Sequence, residues 1–191
     1  LLVQKERRLI RQMRCWLLLL AFDDKALARK DGNRRNIIHK AAWYGNASFL
    51  RTVSLFVPTH EYLPLLLEVD SVNGCTPLHL AAEQGNSECV STLCLMQPKA
   101  CSTQDKNLNT PLHVSCIRMC NLRTLSEDGL KAIPSSPFRE VGITKERDLF
   151  YQISLTLIKA GSDVTTFNKT KTSAKKMLET LNSYKQIQVE R

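Results

Sequence analysis

A chain of 191 residues with 43% hydrophobic residues can build a core, which excludes a protein that is disordered throughout. Its 7 glycines and 7 prolines are too few for an all-β fold with many tight turns, so helices are favoured. The net charge of +9 is unevenly distributed, since residues 52–98 contain no Lys or Arg and both flanking segments are basic. A uniform phosphate-binding stripe is therefore not indicated.

Residues 1–30 are predicted to form an N-terminal helical cap. Apolar residues recur three and four positions apart on one face of residues 5–22, and arginines lie on the other face: Leu9, Met13, Trp16, Leu17 and Leu20 form the apolar set. The apolar run at 15–22 is too short to cross a bilayer, and no cleavage site of small residues follows it. The arginines form either the solvated face of a terminal unit or a surface for an acidic protein, nucleic acid or anionic membrane. Because the first residue is Leu1 and not Met, we expect a piece of a longer protein.

One short motif recurs along the chain and contains three of the four histidines. It reads NIIHKAA at 36–42, TPLHLAA at 76–82 and TPLHVSC at 110–116. A Gly-Asn pair follows the first two copies at the same distance, at 45–46 and 85–86. Residues 157–164 and 172–174 resemble the end of one further copy and the start of another.

This motif, T-P-L-H-x-A with a period near 33 residues, resembles the signature of the ankyrin repeat. The resemblance covers nearly the whole chain and implies an all-α solenoid of stacked helix-turn-helix units with short β-hairpin fingers. The expected units are 31–70 with an extended linker, 71–104, 105–165 with an insertion at 126–148, and a degenerate capping repeat at 166–191. In this last repeat Lys175 is predicted to replace the histidine.

The histidines invite two interpretations, a metal site or a structural role. In the ankyrin family this histidine bonds backbone and capping hydroxyl groups between adjacent repeats, and one histidine per repeat leaves the rings too far apart for zinc. We therefore expect no metal and no cofactor. No nucleophile elbow, phosphate loop or zinc-protease motif is present, so the chain is not predicted to be an enzyme. Seven cysteines without a CxxC pair indicate reduced, mostly buried thiols, as in a cytoplasmic or nuclear protein.

Several departures from the repeat pattern carry their own expectations. Pro58 and Pro64 are predicted to separate the second helix of the first repeat from the next finger. Arg34 and Leu108 stand where a finger usually has Gly, so distorted hairpins are expected there. In the third repeat Met119 replaces a Gly, so its first helix should run on, and the second helix should resume near Leu149. The 126–148 insertion either orders against a partner or is a tolerated surface loop.

The resemblance also implies where a partner binds, namely the concave face made of finger tips and the outward turns of the first helices. The residues predicted to contact it are Asn33, Arg35, Trp43, Tyr44, Asn73, Glu83, Gln84, Lys106, Asn107 and Arg118. Trp43 and Tyr44 cannot both point inward from one helix, so at least one should be exposed, unless the linker 57–69 folds over Trp43. Glu83 and Glu88 suggest that the groove centre favours basic or neutral partners.

The predicted function is that of a non-catalytic protein-protein interaction or scaffold module. Two alternatives stay open. One is a basic platform for nucleic acid or anionic membrane lipid, because acidic partners would suit the basic termini. The other is a targeting module of a larger enzyme or receptor. No small-molecule substrate and no membrane span are expected in this segment.

Overall fold

The computed structural model describes residues 26–129 and 137–180, without the side chains of 122–144. Eight α-helices and one 3-10 helix form these ranges. They are α1 (Ile37–Trp43), α2 (Ala47–Phe56), α3 (Thr59–Leu67), α4 (Pro77–Gln84), α5 (Ser87–Met96), the 3-10 helix Pro98–Ser102, α6 (Pro111–Gly129), α7 (Pro137–Lys159) and α8 (174–180). The predicted cap at 1–30 lies mostly outside the described residues, which begin at 26.

The helices stack in two layers that continue from one repeat to the next. The first helices form one layer, in which α1 packs against α4 and α4 against α6. The second helices form the other layer, in which α2 packs against α5 and α5 against α7. Between the layers lies a single apolar core whose largest fully buried side chains include Ile38, Phe49, Leu78, Leu93, Leu112 and Ile153. The predicted all-α solenoid is confirmed.

Each first helix begins where the motif predicts. The side chains of Asn36 and Thr76 accept from the backbone N–H three residues later, and the histidine there closes the capping box. Pro77 and Pro111 occupy the first helical position, where no N–H is required. Gly85 ends α4 with a φ of 77°, in the left-handed region that a side chain at this position would strain.

The linker of the first repeat differs from the prediction. Pro58 does end the segment after α2, but a further helix, α3, begins at Thr59, and Pro64 lies inside it. Pro64 is at the sixth position of α3, so one hydrogen bond at most is lost from this short helix. The apolar face of α3 is buried, and it holds the helix against the stack through Tyr62, Leu65 and Leu66.

The third repeat also differs from the prediction in one respect. The first helix does run on, as Met119 suggested, because Met119 is buried and α6 continues to Gly129. The second helix, however, does not resume near Leu149 but begins at Pro137. Helices thus occupy the 126–148 insertion from both sides, and residues 130–136 lie outside the described part of the chain. A Pro at the first helical position explains the early start, since its fixed φ suits a helix there.

The fingers are tight loops and not paired strands, which corrects the predicted β-hairpins. In each loop the first residue donates its backbone N–H across the loop, Asp31 N to Arg35 O, Asp70 N to Cys75 O, Asp105 N to Asn109 O and Asn168 N to Thr172 O. In three of the loops the carbonyl oxygen of that first residue also accepts a backbone N–H, from Arg34, Leu108 and Lys171 respectively. Within the described ranges the one bridge of β type joins Phe167 and Ser173. Such short connections leave no room for a strand of ordinary length.

Arg34 and Leu108, where distorted hairpins were expected, keep the positive φ of Gly74 in the second finger. The residue two before each helix cap has a positive φ in every finger, at 58° for Arg34, 70° for Gly74, 59° for Leu108 and 55° for Lys171. Three non-glycine residues therefore adopt the conformation that Gly adopts at no steric cost. The stacked fingers impose this conformation whatever the residue.

The register of the last repeat also corrects a prediction. Ser173 Oγ accepts from the backbone N–H of Lys176, so Ser173 is the helix cap. The histidine position, three residues after the cap, is therefore occupied by Lys176 and not by Lys175. Lys175 lies one residue earlier, where it pairs with Glu179 at 3.9 Å.

Candidate functional site

The three motif histidines occupy equivalent positions and join each repeat to the next. The ring Nε2 of His39 lies 3.2 Å from the carbonyl oxygen of Cys75, and that of His79 lies 2.9 Å from the carbonyl oxygen of Asn109. His113 Nε2 lies 3.1 Å from the carbonyl oxygen of Thr166. All three rings are fully buried, and burial lowers the pKa of each imidazole. At each of these three junctions a neutral histidine ring thus bonds a backbone carbonyl of the next repeat.

A metal ion has no cluster of ligands among the described residues. No group of three or more His, Cys, Asp or Glu side chains converges in that part of the chain. The six cysteines described there are free thiols, five of them buried. Burial raises the pKa of Cys75 and of Cys116 to about 12, so neither is a thiolate at neutral pH.

The finger tips form a continuous row through backbone hydrogen bonds, which we call the finger ladder. The carbonyl oxygen of Asn33 accepts from Ser71 N at 2.9 Å, and that of Asn73 accepts from Lys106 N at 2.9 Å. The carbonyl oxygen of Asn107 accepts from Lys169 N at 3.0 Å. The three asparagine side chains are exposed at the same position of successive fingers. Their spacing is therefore fixed by the repeats themselves.

Residues at the base of each finger hold the tip in place, and the sequence interpretation missed them. In each of the first three fingers one Asp oxygen accepts two backbone N–H groups of its own loop: Asp31 those of Asn33 and Arg35, Asp70 those of Asn73 and Cys75, Asp105 those of Asn107 and Asn109. Asn168 does the same in the fourth finger. A short acceptor five or six residues before each cap is the sequence signal that identifies them.

Tyr44 and Gln84 are exposed at the C-terminal ends of the first helices. Tyr44 is 79% exposed, whereas Trp43, one residue earlier, is half-buried. Gln84 is exposed at the equivalent position of α4, and Glu83 before it is half-buried. The expectation that at least one of the two aromatics is exposed is thus met, with Tyr44 as the exposed one.

Arg35 makes internal contacts that hold Trp43 in place. Its guanidinium donates from Nε and Nη2 to one carboxylate oxygen of Asp70, at 3.0 and 2.9 Å. The same group lies over the Trp43 ring, 5.3 Å from the ring centroid. Burial raises the pKa of Asp70, but the N–H of Cys75 and the Arg35 guanidinium outweigh it, and the net shift is downward. A partner could therefore contact only the exposed part of Arg35.

The other residues predicted to contact a partner differ in the bonds that their side chains already make within the protein. Lys106 Nζ donates to the carbonyl oxygens of Ser71 and Val72, so it ties its own finger to the preceding one. Arg118 is exposed, and its guanidinium lies 6.0 Å from the Phe150 ring. Glu88 belongs to the second-helix layer, where it bonds Arg51 at 3.1 Å. The sequence had suggested that Glu88 lies in the groove with Glu83, but Glu88 lies in the other layer of helices.

Comparison with known proteins supports the repeat assignment. The family described as "Ankyrin repeats (3 copies)" matches residues 57–130. A relative in Arabidopsis thaliana, "Putative E3 ubiquitin-protein ligase XBAT31", is 38% identical over 66 residues. That match covers 32% of this chain and 14% of the relative.

These matches agree with the stacked helix pairs and with the histidine junctions. Ankyrin repeats are generally non-catalytic protein-protein interaction modules. No helix in the described ranges combines the length and the apolarity that crossing a membrane requires. The capped first helices, the finger ladder and the family match over residues 57–130 together identify ankyrin repeats in this chain.

Proposed function

We propose that this chain binds a partner protein on the surface formed by the finger tips and the ends of the first helices. We call it the groove surface, and its exposed side chains are Asn33, Asn73, Asn107, Tyr44, Gln84 and Arg118. The observation that carries the proposal is the finger ladder, because its backbone bonds align the three asparagines and leave their side chains out of the ladder. Their identities are thus free for recognition.

The chemistry of the groove surface suits a polypeptide. Three asparagine amides can each donate and accept, so they can bind the backbone of a partner at regular intervals. Tyr44 adds a large aromatic side chain of the type that dominates interface energetics. The Trp43 ring, which precedes Tyr44 in the chain, is held in place by the Arg35 guanidinium over one of its faces.

Affinity capture with matched variants tests this proposal. Tyr44→Ala with Gln84→Ala removes two exposed groove side chains and leaves the junctions intact. The control, Leu55→Ala with Leu95→Ala, removes two side chains that are 70% and 85% exposed on the second-helix layer. We expect at least tenfold weaker capture for the groove variant alone, since interface hot spots contribute about 2 kcal/mol or more. Equal capture by both variants contradicts the proposal.

A second candidate is a targeting module within a larger enzyme. The relative is named as a ubiquitin ligase, and the match to this chain spans 14% of it, so most of that protein lies outside the similarity. In this proposal the groove surface selects what a neighbouring domain modifies. Fusing this chain to an unrelated labelling enzyme should then label the same proteins that affinity capture recovers.

The C-terminal repeat supports an electrostatic contribution to binding. Lys169, Lys171, Lys175 and Lys176 are exposed in the fourth finger and at the start of α8, with Glu179 the nearby acid that pairs with Lys175. An acidic partner or anionic surface would be attracted to this cluster. Binding that depends on it should weaken steeply as salt increases, whereas binding at Tyr44 and Gln84 should change little.

A further inference from the structure

The helix cap of the first repeat differs chemically from the two that follow, and this changes what its histidine can bond. In the second repeat Thr76 Oγ1 lies 2.8 Å from His79 Nδ1, and in the third Thr110 Oγ1 lies 2.8 Å from His113 Nδ1. In the first repeat the atom at that place is Asn36 Oδ1, 2.8 Å from His39 Nδ1. A hydroxyl can donate a hydrogen bond, whereas an amide oxygen can only accept one.

The amide of Asn36 cannot turn around to offer its nitrogen. Its Nδ2 donates to the carbonyl oxygen of Leu65 at 3.1 Å and to Glu68 Oε2 at 2.9 Å. Its Oδ1 accepts from the backbone N–H of His39 at 3.0 Å. A flip would place the nitrogen against that N–H donor and the oxygen against two acceptors. Three contacts therefore fix an acceptor opposite His39 Nδ1.

A neutral ring satisfies both contacts at His79 but not at His39. The Asn109 carbonyl can only accept, so His79 carries its proton on Nε2, and the Thr76 hydroxyl donates to the bare Nδ1. At His39 both ring nitrogens face acceptors, Asn36 Oδ1 and the Cys75 carbonyl oxygen. Either neutral tautomer leaves one acceptor facing another, whereas the imidazolium donates to both.

The remaining contact to Nδ1 is common to all three repeats and cannot explain a difference. The backbone N–H of the cap residue points at Nδ1 across 3.3 Å at Asn36, Thr76 and Thr110 alike. It opposes protonation equally in each. None of the three rings has exposed surface. The chemical difference opposite Nδ1 is thus the cap side chain, an amide oxygen at His39 and a hydroxyl at His79 and His113.

Carboxylates raise the pKa of all three histidines, Asp105 and Asp70 that of His79 and Asp105 that of His113, so charge alone does not distinguish His39. Burial lowers the pKa of His39 most, while the Cys75 carbonyl and the carboxylates of Asp70 and Glu68 raise it. Both carboxylates have cationic partners, Arg35 and Lys30 respectively. The other charged or titratable groups on the helices packed around the ring are Lys40 on α1, Arg51 on α2, His60, Glu61 and Tyr62 on α3, and His79 and Glu83 on α4. None of these is among the groups that shift His39.

We propose that Asn36 makes His39 take up a proton at a higher pH than His79 and His113, so that the first junction withstands acidification better than the two after it. On acidification His39 exchanges an acceptor–acceptor contact for a hydrogen bond to Asn36. His79 and His113 gain no such bond, because their hydroxyl caps already serve the neutral ring. The junctions beyond Thr76 and Thr110 therefore loosen first.

Titration of the three histidines by NMR in the full chain tests the proposal. We expect His39 to titrate at the highest pH of the three, and its imidazole nitrogens to show the doubly protonated form first. Asn36→Thr places a hydroxyl opposite Nδ1 and should move the titration of His39 to lower pH. Coincident titration of His39 and His79, or an unchanged His39 in the Asn36→Thr variant, would overturn the proposal.

The reverse substitution keeps the test decisive if Asn36→Thr loses stability along with its bonds to Leu65 and Glu68. Thr76→Asn places an amide oxygen opposite His79 and should raise the pH at which His79 titrates. His113, whose cap is unchanged in both variants, is the internal control. As the pH decreases, hydrogen exchange should show that residues 105–110 of the wild type lose protection at a higher pH than residues 70–76. The difference between these two pH values should be smaller in the Thr76→Asn variant.

Discussion

The Nε2 atom of His79 lies 2.9 Å from the carbonyl oxygen of Asn109, which belongs to the next finger. The same ring accepts through Nδ1 from its own helix cap, so one side chain joins a cap, a helix and the following repeat. Because the ring is fully buried, water cannot replace these bonds when they are lost. The histidines are therefore the polar element that holds a thin, mainly apolar stack in register.

His79→Ala should destabilise the protein by about 3 kcal/mol, since it leaves the buried Asn109 carbonyl and the Thr76 hydroxyl without their partner and opens a cavity. The measurement is urea unfolding followed by circular dichroism. His60→Ala is the control, because the His60 side chain is 83% exposed and should change the free energy of unfolding by less than about 0.5 kcal/mol. A loss at His79 no greater than the loss at His60 would contradict the junction role.

Leu108→Gly should stabilise the protein by about 0.5–1 kcal/mol. Leu108 has a φ of 59°, where a Cβ costs roughly 1–2 kcal/mol, and part of that gain is offset by the greater entropy of Gly in the unfolded chain. Leu108 is 43% exposed, so little packing is lost. Thermal unfolding measures the change, and a lower melting temperature for the variant would contradict it.

Gly74→Ala is the opposite test at the equivalent position of the preceding finger. A Cβ there would lie 3.0 Å from Lys106 Cγ and 3.2 Å from the Lys106 backbone nitrogen, which takes part in the finger ladder. With a φ of 70° the strain adds to this crowding. We expect a loss of about 1–3 kcal/mol in the same thermal assay. Gly74→Ala thus combines backbone strain with crowding against Lys106 of the next finger, whereas Leu108→Gly relieves backbone strain.

The fold could be predicted from sequence because its signals are local and recur. A Thr or Asn three residues before a His, followed by small residues, specifies cap, helix and close packing at once, and three copies make chance agreement improbable. The signal failed where a helix depended on tertiary packing. Pro64 argues against a helix locally, yet α3 forms because Tyr62, Leu65 and Leu66 are buried against the stack.

The candidate site was less predictable, because exposure and side-chain direction depend on neighbours. Position alone suggested Arg35 and Lys106 as partner contacts, but Asp70 binds the first, and the carbonyl oxygens of Ser71 and Val72 bind the second. Neither bond has a local sequence signal, since it joins residues about one repeat apart. Tyr44 was the opposite case, where one helix turn bearing two large aromatics already required one of them to be exposed.

Alkylation under native conditions should spare the buried cysteines. Burial raises the pKa of Cys75 to about 12 and that of Cys89 to about 11, so the reactive thiolate is scarce at pH 8. In the folded protein we expect iodoacetamide to label both at least tenfold more slowly than in 6 M guanidinium. Mass spectrometry of the digested protein gives the rate at each site. Labelling of Cys75 at the unfolded rate would show that the first junction opens readily.

The free energy of unfolding should fall as the pH decreases below about 6.5, well before any carboxylate is protonated. Burial lowers the pKa of His79 and of His113 below the unfolded value of 6.5, so protons bind the unfolded chain more tightly. Stability from these neutral rings is complete above pH 6.5 and is lost as the pH falls. Asp70 acts in a different window, because its pKa lies below 3.8 in the folded protein and its contribution disappears only under stronger acid.

Urea unfolding at pH 8, 7, 6 and 5 measures this dependence. His113→Gln removes one titrating ring and should flatten the profile between pH 7 and 5, although it lowers stability at every pH. His60→Gln, at an exposed position, should leave the profile unchanged. A wild-type profile that is flat from pH 8 to 5 would mean that the buried rings accept protons as readily as the unfolded chain does.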